Sequence, residues 1–378
     1  MIEDNSYIDL LNSGIKSVVD DALKVSLKNP SVAKFLIKTA AWQKKSEKIR
    51  TDWEKKGLHV PPFMMASITN RCNLKCKGCF AHAHNRKCNP ELGIEDWEKI
   101  FSESHELGIS FILLAGGEPF IRKDIIALAG KYPEIIFPVF TNATLINDEM
   151  VSILGRFRNI IPILSIEGYE NETDLRRGQG VYEKLLEVMD KLKSKDIFFG
   201  TSITITSNNF ETVTGEGFVN NLMERTCKIV FYVEYVPIEK DTDTLTLSDE
   251  QNRTLLNLLD EYRVKFSSLF IAFPGDEERM GGCLASGRGF VHISSEGNLE
   301  PCPFSPYSDT NLKNISLKEA LSSPLLEKIR ENHDRLSEHK GGCALYENKD
   351  WIISLLSEPN LCTDKMNDAN STTIQEKL

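Results

Sequence analysis

Met64-Met65-Ala66-Ser67-Ile68-Thr69 runs into Asn70-Arg71 and then Cys72-Asn73-Leu74-Lys75-Cys76-Lys77-Gly78-Cys79. The first piece is an apolar run of strand length, and the second is a loop with three thiols spaced by three and two residues. Similar apolar runs recur at residues 111–115, 135–141, 161–166, 199–206 and 229–236. Helix-like stretches at 95–107, 148–157 and 181–193 lie between them. Strands that are apolar throughout and separated by helices predict βαβ units and a parallel sheet. Six such units fit a doubly wound sheet or an open barrel. Pro138 sits inside one run and predicts an edge or a bulge for that strand.

Outward from these units the texture changes. Residues 1–60 read as helical: Ile15, Val18, Val19, Ala22 and Leu23 fall at helical spacing, Pro30 interrupts, and Val32, Phe35 and Leu36 resume. Ten Lys/Arg against three Asp/Glu between Lys24 and Lys56 make this stretch basic, in a chain of net charge −10. Such a face is either solvated surface or a receiver for an acidic peptide or a membrane surface. After about residue 262 the alternation is expected to stop. Residues 270–302 are rich in Gly, with a β-like piece at 290–293, and 316–332 read as a helix. The expected divisions are an N-terminal helical segment (1–60), a barrel (61–262), a small C-terminal domain (263–362) and a flexible tail (363–378).

The 378 residues are 41% hydrophobic and 26% charged, too apolar for a disordered chain. No apolar run reaches the roughly 18–20 residues of a membrane helix. Met1-Ile2-Glu3-Asp4-Asn5 lacks the basic-then-apolar order of a secretory signal. The acidic balance argues against a nucleic-acid binder. The expectation is a soluble, cytoplasmic protein. There, nine cysteines are better explained by metal binding than by disulfides.

Thiolates suit zinc or iron–sulfur clusters rather than oxygen-seeking cations. Structural zinc wants four ligands in paired knuckles, which Cys88, His82 and His84 do not complete. A thioredoxin-like reading of Cys76–Cys79 leaves Cys72 unexplained. Three cysteines on a four-iron cluster leave one iron open to a ligand from outside the protein.

The cysteine loop after a first strand resembles that of radical S-adenosylmethionine (radical SAM) enzymes. A separate match is Gly116-Gly117-Glu118-Pro119, directly after the run 111–115. Thr141-Asn142 with Thr144-Leu145-Ile146 resembles the family's third-strand segment, and Ser165-Ile166-Glu167-Gly168 its fourth-strand end. Arg176-Arg177-Gly178 resembles the following loop, and Ser202 lies on a fifth strand where the family often presents a polar side chain. The resemblance implies a partial (β/α)6 TIM-like barrel of the α/β class, with N-terminal helices. It implies a [4Fe-4S] cluster on Cys72, Cys76 and Cys79. Gly116, Gly117, Glu118 and Pro119 would bind the methionine amine of SAM, and Thr141, Asn142, Ser165, Arg177 and Ser202 are further cofactor candidates. Glycines let a ligand approach the backbone, and a nearby carboxylate complements an ammonium. The motifs fall just past strand ends, where (β/α) barrels carry their sites. One departure stands out: the family's aromatic before the third cysteine is here Gly78, with Phe80 after Cys79.

A second set is Cys283, Cys302, Cys343 and Cys362. Gly297 precedes Cys302 by five positions, and Gly-Gly precedes both Cys283 and Cys343. This resembles the auxiliary-cluster extension called SPASM or, when shorter, Twitch. It implies a small C-terminal α+β iron–sulfur domain with one auxiliary [4Fe-4S] cluster, the longer form's later C-x₂-C being missing. Small buried core cysteines are the plainer alternative. Cys88 and Cys227 fit neither set.

The resemblance implies an oxidoreductase of maturase type. It would cleave SAM reductively and abstract hydrogen from a substrate such as a peptide or protein side chain. Its electron donor would be flavodoxin- or ferredoxin-like. The rival is a non-catalytic iron–sulfur electron carrier or redox sensor on the same scaffold.

Overall fold

The structure is a computed structural model that describes residues 30–83, 90–239, 241–273, 277, 282–336 and 343–356. Cys88, Cys362 and the pattern over residues 1–29 lie outside the described residues.

Helix α1 (Pro30–Glu54) starts at Pro30, so the proline opens this helix. Its fixed φ suits a first helical turn. Leu36, Thr39, Gln43, Ser46 and Arg50 form the buried face, three or four residues apart, and Lys38, Lys44, Lys45 and Lys48 stay exposed. The alternation then begins with β1 (Phe63–Thr69), α2 (Ile94–Leu107), β2 (Phe111–Gly116) and α3 (Lys123–Ala129). It continues through β3 (Phe137–Thr141), α4 (Asp148–Arg156) and β4 (Ile160–Ser165). Two helices, α5 (Glu170–Arg177) and α6 (Val181–Ser194), lead to β5 (Gly200–Ile205). Helices α7 (Phe210–Thr214) and α8 (Glu216–Glu224) lead to β6 (Ile229–Glu234). Local chemistry sets these boundaries. Asn147 caps α4 by accepting from the Met150 N–H at 3.0 Å. Gly108, at φ +85°, ends α2 in the left-handed conformation that glycine adopts without strain.

The alternation does not stop at residue 262. Helix α9 (Asp249–Lys265) feeds a seventh parallel strand, β7 (Leu269–Phe273), which pairs with β6. Strand β8 (Phe290–Ile293) pairs parallel with β1, and β9 (Leu299–Glu300) pairs antiparallel with β8. The sheet order is β7-β6-β5-β4-β3-β2-β1-β8-β9, open at both ends. Hydrogen bonds of one sheet therefore cross the expected boundary at 262. The C-terminal residues still have a core of their own, around Phe290, Cys302, Leu325, Ile329, Cys343 and Leu345. The helix expected over 316–332 is two, α10 (Leu317–Leu321) and α11 (Pro324–Glu331), because Ser323-Pro324 starts a new capped turn.

Pro138 lies in an interior strand, between β2 and β4, so the edge expectation is wrong. Ile136 makes both of its backbone bonds toward β2, donating to Ser110 and accepting from Ile112. Strand alternation turns the Pro138 nitrogen to the same side, where it has no hydrogen to give. Pairing of β3 with β2 is accordingly thin, one register pair at Leu114–Val139 and a bridge at Phe111–Ile136, whereas β3 and β4 pair over five residues.

Under the sheet, Phe101 meets Trp97 and Phe137 with ring centroids 5.9 and 5.1 Å apart, fixing α2 against β3. Helix α1 docks where Arg50 donates to the buried Gly108 carbonyl at 2.7 Å. Arg50→Ala leaves that carbonyl unpaired and is expected to cost about 1–3 kcal/mol. It should lower the urea midpoint at unchanged slope; an unchanged midpoint would show that α1 docks without this bond.

Candidate active site

The loop after β1 is held from three sides. The turn leaving β2 crosses it so closely that a Cβ on Gly117 would sit 2.1 Å from the Arg71 carbonyl oxygen, and one on Gly116 would sit 2.3 Å from that of Thr69. In return, the Gly117 N–H donates to Thr69 O at 2.7 Å and the Glu118 N–H to Arg71 O at 2.8 Å. The two glycines thus admit the cysteine loop's own backbone.

The Glu118 carboxylate is 1% exposed. Oε1 accepts from the Phe120 N–H at 3.1 Å and the Thr141 hydroxyl at 2.8 Å, and Oε2 from the Asn142 N–H at 2.8 Å. Burial raises its pKa, and these bonds oppose the rise. Its bonds tie the end of β2 to the end of β3. Asn142 is similarly engaged. Its Nδ2 donates to Asn73 Oδ1 at 3.0 Å and lies 3.9 Å from Cys72 Sγ, while its Oδ1 accepts from the Thr144 hydroxyl at 2.6 Å. Asn142 therefore braces the first cysteine.

The third side is Arg176. It donates to Glu167 Oε1 at 2.6 Å, to the Thr204 hydroxyl at 2.8 Å and to the Lys77 carbonyl at 3.2 Å, and its own carbonyl accepts from the Lys77 N–H at 2.9 Å. Arg177 donates to the same Glu167 carboxylate, at 2.9 Å through Nε and also through Nη2. Glu167 is 1% exposed. Both guanidiniums thus share the Glu167 carboxylate beside the thiols. Burial raises the Cys76 pKa, and Arg177 and Arg176 pull it back. Glu167 and Arg176 were quoted in the sequence only as parts of motifs, and nothing in their spacing marks them as the brace of the cysteine loop.

Cys72, Cys76, Cys79, Gly116, Gly117, Glu118, Thr141, Asn142, Ser165, Arg177 and Ser202 line one cleft enclosing about 1490 Å³ of empty space. Pro119 stands beside it at the first position of a buried turn. Ser165 and Ser202 are register partners on β4 and β5, and no protein hydrogen bond to either hydroxyl is found among the described residues. Tyr235, just past β6, packs its ring against Gly78, where a Cβ would come within 2.9 Å of it, and its buried hydroxyl has no hydrogen-bond partner among the described residues. Among the described residues no three His, Cys, Asp or Glu side chains close on a single metal ion. A four-iron cluster is wider than one ion and spreads its thiolates farther apart. Three thiols facing a cavity with spare hydroxyls are the donor set that such a cluster and a nucleoside-bearing ligand require.

Cys283, Cys302 and Cys343 line a second cavity of about 410 Å³ with Glu277, distant in sequence but together in space. Burial pushes the Cys283 and Cys302 thiols well up and raises Glu277 to about 8. Val233, Glu234, Phe273 and Phe304 line both cavities. Cys227 is a core thiol, fully buried, with Ile229 O at 3.2 Å from its sulfur.

Residues 66–214, from β1 through the helix after β5, match the Radical SAM superfamily. That stretch is a radical SAM domain. It makes the chain a radical SAM enzyme and implies SAM and a [4Fe-4S] cluster. It is 24% identical over 320 residues to the AdoMet-dependent heme synthase of Methanosarcina barkeri, covering 77% of this chain and 90% of that one. It is 24% identical over 339 residues to the subtilosin biosynthesis protein AlbA of Bacillus subtilis, covering 84% and 74%. Among solved structures, Streptococcus suis SuiB bound to S-adenosylmethionine superposes with a TM-score of 0.62 at 20% identity, over 79% of this chain and 72% of that one. SuiB has also been solved bound to its precursor peptide SuiA. Similarity at that identity shows the shared fold. No described helix is long and apolar enough to cross a membrane.

Gly117→Ala is expected to force the cysteine loop off the β2 turn, because the added carbon would lie 2.1 Å from a backbone oxygen. Iron content after anaerobic reconstitution should fall to that of the Cys72→Ala/Cys76→Ala/Cys79→Ala chain, with circular dichroism unchanged. Full iron content would show that the loop tolerates the displacement.

Proposed function

We propose that this chain is a maturase-type radical SAM enzyme that oxidises a peptide or protein side chain. In this reading Cys72, Cys76 and Cys79 hold the SAM cluster, and Cys283, Cys302 and Cys343 hold one auxiliary [4Fe-4S] cluster in a SPASM/Twitch-like domain spanning about residues 263–362. Reductive cleavage of SAM, the chemistry such a cluster supplies when bound, gives methionine and a 5′-deoxyadenosyl radical that takes a hydrogen atom from the substrate. The chain's own part is to brace the cysteine loop through Glu118, Asn142 and Arg176. Ser165 and Ser202 offer unpartnered hydroxyls to the nucleoside.

The observation that carries oxidation is the wall shared by the two cavities. Val233, Glu234, Phe273 and Phe304 separate the cleft from the second cysteine set, so an electron leaving a substrate radical has a thiolate-held acceptor next door. The peptide class is supported by the likeness to AlbA and to SuiB, which binds a precursor peptide. Likeness to a heme synthase raises a tetrapyrrole carboxylate as the other class. The cleft disfavours it: its arginines, Arg176 and Arg177, are both engaged by Glu167, and its remaining lining is largely apolar, with Met65, Leu113, Phe140 and Phe231. The exposed Lys38, Lys44 and Lys45 of α1 suit an acidic leader.

With about four irons per cluster, the reconstituted parent should hold about eight and the Cys72/Cys76/Cys79 triple variant about four. The parent with SAM and dithionite should form 5′-deoxyadenosine, and with a display library of peptides it should yield products two hydrogens lighter. Turnover of an iron tetrapyrrole with no change to any peptide would replace the peptide reading. SAM cleavage absent under all conditions would favour an electron carrier. Reversing Lys38, Lys44 and Lys45 to Glu should weaken an acidic-leader peptide by about tenfold or more at low salt, as measured by anisotropy; unchanged binding would leave these lysines as solvated surface.

A further inference from the structure

Ser67 lies on β1, His292 on β8 and Glu300 on β9, three strands that are neighbours in the sheet. His292 and Glu300 are direct cross-strand partners. The register of β1 against β2 shifts between Ser67 and Thr69, an irregularity that re-aims side chains at a strand end. Ser67 Oγ is 2.8 Å from His292 Nε2, and His292 Nδ1 is 2.8 Å from Glu300 Oε2. Their exposures are 8%, 5% and 1%. A carboxylate only accepts, so the ring proton belongs on Nδ1, and Nε2 is left to accept the serine hydroxyl's hydrogen. The order of groups is that of a serine–histidine–carboxylate relay.

The relay also connects two spaces. Ser67 and His292 line the cleft and also a third cavity of about 460 Å³, distinct from that of the second cysteine set, where Asn70, Ser294, Glu296 and Glu300 supply a polar lining. A proton accepted at the cleft therefore has a polar region behind it.

We propose that Ser67, His292 and Glu300 take the proton that the substrate in the cleft must lose after its hydrogen atom has gone. This rests on the oxidation reading above. The first hydrogen leaves carbon as an atom, to the 5′-deoxyadenosyl radical. The second leaves a neighbouring N–H, O–H or S–H as a proton and an electron. Ser67 Oγ accepts the proton as its own passes to His292 Nε2, and Glu300 holds the imidazolium that forms. The electron goes to an oxidised iron–sulfur centre on the cysteines of the adjoining cavity. The substrate has then lost two hydrogens in all. Ser67 and His292 are catalytic residues in this scheme and Glu300 is a positioning residue. Around His292 the polar and titratable groups are Ser67 from β1, Glu300 from β9 and Glu296 in the turn between β8 and β9, with Glu234 and the three thiols across the cleft.

The test uses the full chain, anaerobically reconstituted, with SAM, dithionite and a library peptide that the parent oxidises. Product per 5′-deoxyadenosine should fall by at least roughly tenfold in Ser67→Ala and in His292→Gln. Ser67→Ala keeps the His292–Glu300 pair and covers the case in which His292→Gln fails to fold. Glu300→Gln should lower the same ratio while leaving 5′-deoxyadenosine formation in place. Ratios equal to the parent's would overturn the proposal, as would losses of product and 5′-deoxyadenosine in equal proportion. If the parent oxidises no peptide, the functional reading fails separately and ¹⁵N-histidine NMR decides the relay. A ring with its proton on Nδ1 is expected; a neutral ring with its proton on Nε2 overturns it.

Discussion

Where the loop leaving β1 crosses the turn leaving β2, two backbones lie closer than any side chain permits, and the rest of the site is arranged around that crossing. The positions that make it feasible are Gly116, at φ +115°, and Gly117. Each contributes by lacking a Cβ. Two backbone hydrogen bonds close the contact, and the buried Glu118 then ties it to the ends of β3 and α3's leading turn. Displacing the crossing would shift the three thiols relative to every strand end that faces them.

Charge is arranged with the same economy. Glu167 engages both arginines, and the guanidinium pair counters the rise that burial imposes on the Cys76 thiol. Arg176 spends its other donors on the Lys77 carbonyl and Thr204, which converts an electrostatic contact into a positional one. On the opposite side of the cleft, Phe80 of the cysteine loop and Phe304 of the C-terminal residues meet with ring centroids 5.1 Å apart. The C-terminal residues are thereby packed against the cysteine loop, and the β1–β8 ladder joins the two parts in one sheet.

The strand-and-helix alternation through β6 was legible because each strand is a short apolar run bounded by polar helices. The cysteine loop and the Gly-Gly-Glu-Pro turn were legible because their spacing is local. What the sequence hid was non-local. Residues 270–273 read as the start of a glycine-rich C-terminal domain, although 269–273 form a strand once β6 offers an edge. Pro138 reads as an edge signal, and only the direction of its nitrogen explains its place inside the sheet. His292, a lone histidine in an apolar strand, carries no pattern of its own, and its meaning comes from Ser67, 225 positions away. Glu118 and Asn142 were found as site residues, but their protein partners were not legible, because a motif names a position and not the side chains that meet there.

The central claim is that Cys72, Cys76 and Cys79 hold a cluster with an iron that binds SAM through its amine. Electron–nuclear double resonance on the reduced full chain, with SAM labelled with ¹⁵N at the methionine amine, tests it directly. The account predicts a ¹⁵N hyperfine coupling to the reduced cluster in the parent. It also predicts loss of that coupling in the Cys72→Ala/Cys76→Ala/Cys79→Ala variant, which keeps its auxiliary iron. An intact reduced cluster on those cysteines that shows no coupling to the amine nitrogen, with SAM bound, would contradict it.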